Sequence, residues 1–206
     1  VPHGHEDHIG GLDRIQGEMG CQVRCHPKLA AYLTERLGTG CVQPIKSREV
    51  IPTGGGQGLR ALFTPGHEDN HISYFMRDQR TLFTGDTILG NSSSSIRNLK
   101  QYMASLELLA RQRPNLICPG HGQLVHDGAK RIQWYIDHRQ AREQQIIKAL
   151  AAGSGTVDEV VKAVSPRNLR KNLRSAAARN VTTHLAKLME EGAVSQNAVT
   201  YSVNGA

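Results

Sequence analysis

The stretch V-P-H-G-H-E-D-H, residues 1–8, decides the fold because it concentrates potential metal ligands in one short loop. It contains His3, His5, Asp7 and His8. Imidazole nitrogen and carboxylate oxygen suit zinc and similar divalent ions, whereas thiolate-rich sets are typical of structural zinc. No cysteine lies in this stretch. Such a loop can curl around two adjacent ions, so it predicts the beginning of a two-metal site.

Three later residues extend this set: His67 in T-P-G-H, Asp86 in T-G-D-T and His121 in P-G-H-G. Each follows an apolar, β-prone run and is flanked by glycine, as expected where strand ends present side chains to a common edge. A single tetrahedral zinc takes only about four ligands. We therefore predict two zinc ions, or similar divalent metals. The first would be held by His3, His5 and His67, the second by Asp7, His8 and His121, with Asp86 bridging both.

Two ions roughly 3.5 to 4 Å apart lower the pKa of a bridging water and stabilise charge on the attacked centre. The ligand set therefore predicts a metal-dependent hydrolase, with Asp7 and Asp86 as catalytic residues. His71, four residues after His67, is predicted to hydrogen-bond a metal ligand without binding metal, unless a helical turn makes it a ligand itself. The other histidines are predicted to be surface or packing residues: His26, His126, His138 and His184.

These residues resemble the metallo-beta-lactamase superfamily, and the resemblance covers residues 1 to about 150. It implies an α/β fold, the four-layer αββα sandwich, with a dinuclear site at its edge. Asp86 stands where the zinc beta-lactamases usually carry cysteine, which disfavours a lactamase. Gly122 and Gln123 stand where glyoxalase II tends to carry glutamate and tyrosine, which disfavours that branch as well.

Longer strings, including T-P-G-H-E-D-N-H, G-D-T-I-L-G and P-G-H-G-Q-L-V-H-D, resemble one branch of this superfamily. That branch contains metal-dependent endoribonucleases of single-stranded RNA and acyl-carrier-protein thioesterases. The chain departs from the branch at Pro2, usually threonine, and in the serine-rich segment Asn91–Asn98. Both changes flank the mouth of the predicted site, so they concern substrate preference and leave the metal ligands unchanged.

The glycines of G-S-G, Gly153–Gly155, predict a boundary between a domain at 1–152 and another at 153–206. Thr156 and Glu159 have the spacing of a capping box at a helix start. The predicted order of three helices and a β-hairpin resembles a winged helix. Its second helix carries a basic run whose spacings would align several cations on one face. The run consists of Arg167, Arg170, Lys171, Arg174 and Arg179. It is either a solvated face or a phosphate-backbone contact.

A net charge of +7 and a pI near 9.5 favour polyanionic partners. We therefore expect an endoribonuclease that cleaves single-stranded RNA through a metal-bridging hydroxide. One alternative is hydrolysis of an acyl-carrier-protein thioester or another thioester, with the basic run meeting an acidic carrier protein. A second alternative, of another class, is a non-catalytic RNA- or protein-binding module. Aromatic residues make up only 4% of the chain, so extensive base stacking is not expected.

Amphipathic patterns predict helices over 98–112 and 130–150. Sandwiches of this superfamily begin with several strands before the first metal motif, so we expect an N-terminally truncated sheet with an exposed edge and poor solubility. The four cysteines and the lack of a signal peptide predict buried thiols in a reducing compartment. No apolar run approaches the ~20 residues of a membrane span. These features predict an intracellular protein, cytoplasmic or mitochondrial, without membrane contact and of open oligomeric state.

Overall fold

The main sheet has six strands in the computed structural model, which describes residues 1–166 and 168–204. Its strands, in spatial order, are β3 (Val50–Pro52), β4 (Gly58–Phe63), β5 (Ile72–Met76), β6 (Thr81–Gly85), β7 (Leu116–Pro119) and β8 (Val125–His126). Strands β6 and β7 are parallel, and every other neighbouring pair is antiparallel. The β6–β7 register shifts between Phe83 and Gly85, directly before Asp86. Irregularities of this kind re-aim side chains beside functional sites.

A second, parallel pair of strands, β1 (Val23–Cys25) and β2 (Val42–Pro44), is connected by helix α3 (Pro27–Leu37). Helix α3 begins where Pro27 occupies its first turn, because proline needs no helical hydrogen-bond donor there. The N–H of Lys28 donates to His26 Nδ1 at 3.2 Å, so His26 caps this helix. Two short helices precede these strands: α1 (Glu6–Ile9) and α2 (Leu12–Met19).

Helices α4 (Leu99–Ala110) and α5 (Gly128–Ala151) agree with the amphipathic patterns at 98–112 and 130–150. The predicted apolar stripes are buried: Leu99, Met103, Leu106 and Leu109 on α4, and Ile132, Ile136, Ile146 and Leu150 on α5. The prediction of buried thiols is correct only for Cys25. Cys21, which follows α2, is exposed, whereas Cys41, directly before β2, and Cys118, within β7, are half-buried.

The contacts divide the described chain into two units. One contains Val1–Arg97 and Gln101–Gln133, and the other contains Asn98–Lys100 and the described residues from Trp134 onwards. The division falls inside α5, because Ile146 and Leu150 pack into the apolar core of the second unit. The predicted boundary at 152/153 therefore stays a prediction. No helix in residues 1–166 and 168–204 combines the length and apolar character needed to cross a membrane.

The second unit contains α6 (Val157–Val164), α7 (Arg174–Glu190) and a hairpin of β9 (Val194–Asn197) and β10 (Thr200–Val203). The predicted capping box is present, since Thr156 Oγ1 accepts from the N–H of Glu159 and the Glu159 side chain accepts from the N–H of Thr156. Along α7, Val181, Leu185 and Leu188 are buried. Met189, on the same helix, is 38% exposed.

The prediction that the basic run lies on a second helix of this unit is wrong. Residues Lys171–Leu173 form a single 3-10 turn, and α7 begins only at Arg174. Arg170 and Lys171 therefore do not share a helical face with Arg174 and Arg179. The chain favours one long helix here because Ser175–Arg179 is rich in alanine, which continues into the buried stripe of α7. Arg167 lies outside the described residues.

Candidate metal centre

The loop that carries the first four candidate ligands is anchored to the main sheet. The N–H of Ile72, at the start of β5, donates to Pro2 O at 2.7 Å. The N–H of Gly4 donates to Asn70 Oδ1 at 3.3 Å. Helix α1 then begins at Glu6, so Asp7 and His8 lie within its single turn. These contacts place the loop at the end of the sheet where β4 and β6 also end.

The first donor set is His3 Nε2, His5 Nδ1, His67 Nε2 and Asp86 Oδ2. His5 Nδ1 lies 2.9 Å from His3 Nε2 and 3.2 Å from His67 Nε2. Asp86 Oδ2 lies 3.9 Å from His3 Nε2 and 3.6 Å from His67 Nε2. In a tetrahedral site with bonds of about 2.0 to 2.2 Å, donor atoms are roughly 3.3 to 3.6 Å apart. The spacing therefore fits a divalent ion.

The second donor set is Asp7 Oδ2, His8 Nε2, His121 Nε2 and Asp86 Oδ1. Asp7 Oδ2 is 2.8 Å from His121 Nε2 and 3.8 Å from His8 Nε2. Asp86 Oδ1 is 3.1 Å from His8 Nε2 and 3.6 Å from His121 Nε2. These distances lie on both sides of the same tetrahedral spacing, so small side-chain shifts would bring the four atoms around one ion. The structure thus brings all seven predicted ligands together, in the two groups expected from the sequence.

Asp86 belongs to both sets, with one carboxylate oxygen turned towards each. Close packing holds it in this position. A Cβ atom at Gly120 would lie only 2.6 Å from Asp86 Oδ1 and 3.0 Å from His8 Cε1. Gly85, with φ +47, precedes Asp86, and a Cβ there would lie 2.8 Å from His71 Nε2. The two glycines therefore allow the backbone to approach the site closely, which a side chain would prevent.

His71 lies behind Asp86 and is a member of neither donor set. The turn that carries it is not helical, which removes the alternative of an extra ligand. Its Nε2 accepts from the N–H of Asp86 at 3.1 Å, and its Nδ1 lies 2.9 Å from Thr64 Oγ1. Burial, followed by the neighbouring His3 and His67, holds the pKa of His71 well below its ordinary value. The neutral ring can thus support the backbone of Asp86, as the sequence prediction proposed.

Exposure differs among the ligands within each donor set, since His5 in the first set is 37% exposed and His8 in the second is only 11% exposed. The side chains of His3 and His67 are 0% and 5% exposed, whereas those of Asp7 and His121 are 52% and 49% exposed. Burial and then the neighbouring imidazoles lower the pKa of His3 to about 3. His3 is therefore neutral and retains the lone pair that a metal ligand requires. A substrate can approach from the side of Asp7 and His121.

Sequence reasoning missed the residues that orient the ligands. Glu68 is buried, and its Oε1 accepts from His5 Nε2 at 2.7 Å and forms an ion pair with Arg97 Nε at 2.9 Å. His67 Nδ1 donates to Ser95 O at 2.8 Å, so the unusual serine-rich segment supports a ligand. The sequence did contain a signal for Glu68, because it is an acidic residue directly after His67. Carboxylates commonly fix the ring of a metal-binding histidine.

The predicted substrate-binding cations lie in the second unit. Arg170, Lys171, Arg174 and Arg179 are all exposed, and Arg167 lies outside the described residues. They follow one another through a 3-10 turn and the first turns of α7. The arrangement leaves Arg170, Lys171, Arg174 and Arg179 available to solvent.

The protein has an α/β fold with a mixed sheet. The strand ends of this sheet bring histidine and aspartate side chains together around one shared carboxylate. This combination of fold and site defines a metal-dependent hydrolase. The chain belongs to the metallo-beta-lactamase superfamily, whose sequence profile matches residues 3–121. The profile of the beta-lactamase associated winged helix domain matches residues 156–200. The predicted superfamily fold and the predicted winged helix are thereby confirmed. The fold and the donor sets together indicate divalent metal binding.

The chain is 35% identical to a beta-lactamase-like protein 2 homolog of Drosophila melanogaster, over 93% of this chain and 68% of that protein. It is 28% identical to an atrochrysone carboxyl ACP thioesterase of Aspergillus terreus, over 94% of this chain and 62% of that protein. A metallo-beta-lactamase family protein from Thermus thermophilus shares the fold, with a TM-score of 0.70 at 22% identity, covering 94% of this chain and 75% of that one. The chain thus spans about two thirds of the length of the two sequence relatives.

Proposed function

We propose that the protein is a dinuclear zinc hydrolase that cleaves single-stranded RNA as an endoribonuclease. The observation that carries the proposal is the pair of donor sets joined through the two oxygens of Asp86. Two divalent ions bound there would lower the pKa of a water to near neutrality and stabilise charge on the attacked centre. Zinc suits the ligand set, because the set is rich in imidazole and lacks thiolate.

Different residues of the chain would have different roles in such a site. Asp86 would hold the two halves at a fixed separation, while His71 accepts from its backbone N–H and the absence of a side chain at Gly120 leaves room for its carboxylate. Glu68 would orient His5. Asp7 lies at the exposed side and contacts His121 at 2.8 Å, so it is the carboxylate nearest to an arriving substrate. We therefore assign catalytic roles to Asp7 and Asp86.

RNA is favoured over an acyl substrate by charge. The chain has a formal net charge of +7, and four exposed cations follow closely along the second unit: Arg170, Lys171, Arg174 and Arg179. Cations of this kind attract a phosphate backbone by releasing its counterions. Because aromatic residues are scarce, RNA binding would depend on charge, and its affinity would fall as the salt concentration rises.

A thioesterase is the second candidate, because one of the relatives at 28% identity is named as an acyl-carrier-protein thioesterase. The same donor sets could activate water for attack on a thioester carbonyl, and the exposed cations could contact an acidic carrier protein. The third candidate, a binding module without catalysis, is disfavoured because all seven candidate ligands are retained in position.

The deciding experiment incubates the zinc-loaded protein with single-stranded RNA, single-stranded DNA and an acyl-carrier thioester in parallel. We expect cleavage of the RNA, lost in Asp86→Ala. Exposed Asp78→Ala, in the turn between β5 and β6, is the matched control and should retain activity. Hydrolysis of the thioester alone would establish the second candidate. RNA binding without hydrolysis of any substrate, unchanged in Asp86→Ala, would establish the third.

A further inference from the structure

A cleft of about 430 Å³ in the first unit is lined by four arginines and lies apart from the metal centre. Arg60 and Phe75 are register partners on β4 and β5. Arg77 and Arg80 come from the turn that joins β5 to β6. Arg111 and Gln112 follow the end of α4 and complete the lining. Residues far apart in the sequence thus form one concave cationic surface.

The strands separate this cleft from the metal centre. Strand β6 begins at Thr81, beside the arginine-bearing turn, and ends at Gly85, directly before Asp86. At about 3.3 Å per residue, these ends are roughly 15 Å apart. The cleft is therefore too distant for its arginines to contact a group held between the two donor sets.

The charge of the cleft is uncompensated within the described chain. Its lining contains no aspartate or glutamate. Within residues 1–166 and 168–204, none of the four cleft arginines forms an ion pair. Asp78 shares the turn with Arg77 and Arg80 but is exposed and does not line the cleft. Converging cations without a carboxylate partner create a potential that attracts anions.

One of the arginines is fixed before any ligand arrives. Arg80 Nε donates to Arg113 O at 2.9 Å, and a second contact joins Arg80 Nη2 to the same carbonyl. Phe75 is 5% exposed and gives the cleft a firm apolar wall. A guanidinium is planar and presents paired N–H donors that match two oxygens of a phosphate. Because the Nε and Nη2 donors of Arg80 are occupied by Arg113 O, the paired donors for a phosphate come from Arg60, Arg77 and Arg111, beside the fixed charge of Arg80.

We propose that this cleft binds a nucleotide-sized ligand that carries two or more adjoining phosphate groups. Four guanidiniums exceed the charge of one phosphate, whereas a diphosphate group matches them more closely. The volume lies within the range of roughly 300 to 1,000 Å³ that small-molecule sites occupy. The site is distinct from the proposed hydrolytic centre and does not rest on the function proposed for it.

The test is isothermal titration of the metal-loaded protein with pyrophosphate, ADP and inorganic phosphate. The variant R77Q/R111Q removes two exposed guanidiniums of the cleft. The control R14Q/K130Q removes two exposed cations of the same unit that do not line the cleft. Because all four side chains are exposed, both variants should fold. We expect the cleft variant to raise the Kd for pyrophosphate and ADP at least tenfold and the control to change it less than twofold.

Asp86→Ala distinguishes the cleft from the metal centre, since pyrophosphate can also bind metal ions. We expect this variant to retain the pyrophosphate affinity of the unaltered protein. Loss of affinity in Asp86→Ala would overturn the proposal by placing the anion at the metal centre. Equal affinity in R77Q/R111Q and the unaltered protein would overturn it as well, as would binding of inorganic phosphate as tight as that of pyrophosphate.

Discussion

His5 Nε2 donates a hydrogen bond to Glu68 Oε1 across 2.7 Å, while Nδ1 of the same ring points into the first donor set. The bond determines the tautomer, because a proton on Nε2 leaves the lone pair of Nδ1 available for a metal. Arg97 contacts the same carboxylate oxygen at 2.9 Å and holds it in place. A residue that binds no metal can therefore determine how well the neighbouring histidine does so.

Glu68→Ala is expected to weaken zinc binding at the first donor set by about tenfold to a hundredfold, the usual effect of losing such an outer carboxylate. Glu68→Gln keeps an oxygen acceptor and should have the smaller effect. Competition with a fluorescent zinc chelator measures both. Glu18→Ala is the control, since Glu18 is exposed and pairs with Arg14 across one helical turn. An unchanged zinc affinity in Glu68→Ala would show that the hydrogen bond from His5 to Glu68 does not contribute to zinc binding.

The two donor sets should lose their ions separately. His3→Ala removes a ligand from the first set alone, and Asp7→Ala removes one from the second set alone. After dialysis, each of these two variants should retain one tightly held ion per chain, whereas the unaltered protein should retain two. Asp86→Ala should retain fewer ions than either of the two variants. Elemental analysis gives the stoichiometry. A single ion in the unaltered protein would contradict the dinuclear assignment.

Gly120→Ala should damage the centre without unfolding the chain. The added Cβ would lie 2.6 Å from Asp86 Oδ1, so the carboxylate must move away from its place between the two sets. We expect at least a tenfold loss of hydrolysis together with a native far-ultraviolet circular dichroism spectrum. Gly17→Ala in α2 is the control, because nothing lies within 4 Å of its Cβ. It should retain activity and gain roughly 0.5 to 1 kcal/mol of stability from its higher helix propensity.

The metal ligands could be predicted from sequence because their positions follow from local rules. Four candidate ligands share one loop, and the other three follow β-prone runs whose ends reach one edge of the sheet. The arginine cleft could not be found in this way. Arg60, Arg77 and Arg111 come from a strand, a turn and the end of a helix, and only the packing of these elements brings them together.

The basic run failed as a helix prediction for a related reason. Spacings of three and four would align Arg170, Arg174 and Lys171 on a helix, but charge spacing does not determine where a helix begins. The alanine-rich stretch Ser175–Arg179 and the buried residues that follow from Val181 favour one long helix, which begins at Arg174. Glu68 was missed because its role depends on where His5 lies, and the two are 63 residues apart.

Binding of single-stranded RNA should depend on the exposed cations of the second unit. For single strands, the logarithm of affinity falls with the logarithm of salt by about 0.7 per neutralised phosphate. The variant R170Q/K171Q removes two of these cations and should lower the slope by up to about 1.4. Filter binding to an oligonucleotide at several salt concentrations, with zinc-free protein to prevent cleavage, measures the slope. K148Q/K162Q, which alters two exposed lysines elsewhere in the same unit, should leave the slope unchanged.

His184 should make the second unit sensitive to acid. It is 1% exposed on α7, and burial lowers its pKa, although Glu143 at 3.8 Å opposes the shift. Below about pH 6.5 this histidine is therefore protonated in the unfolded chain but still neutral in the folded chain. The free energy of unfolding falls as the pH drops from that value towards the lowered pKa. Urea unfolding followed by the fluorescence of Trp134, the single tryptophan, should show a lower midpoint at pH 5.5 than at 7.5. His184→Leu should flatten this dependence, and exposed His126→Gln should preserve it. An equally steep dependence in His184→Leu would assign the effect to other groups.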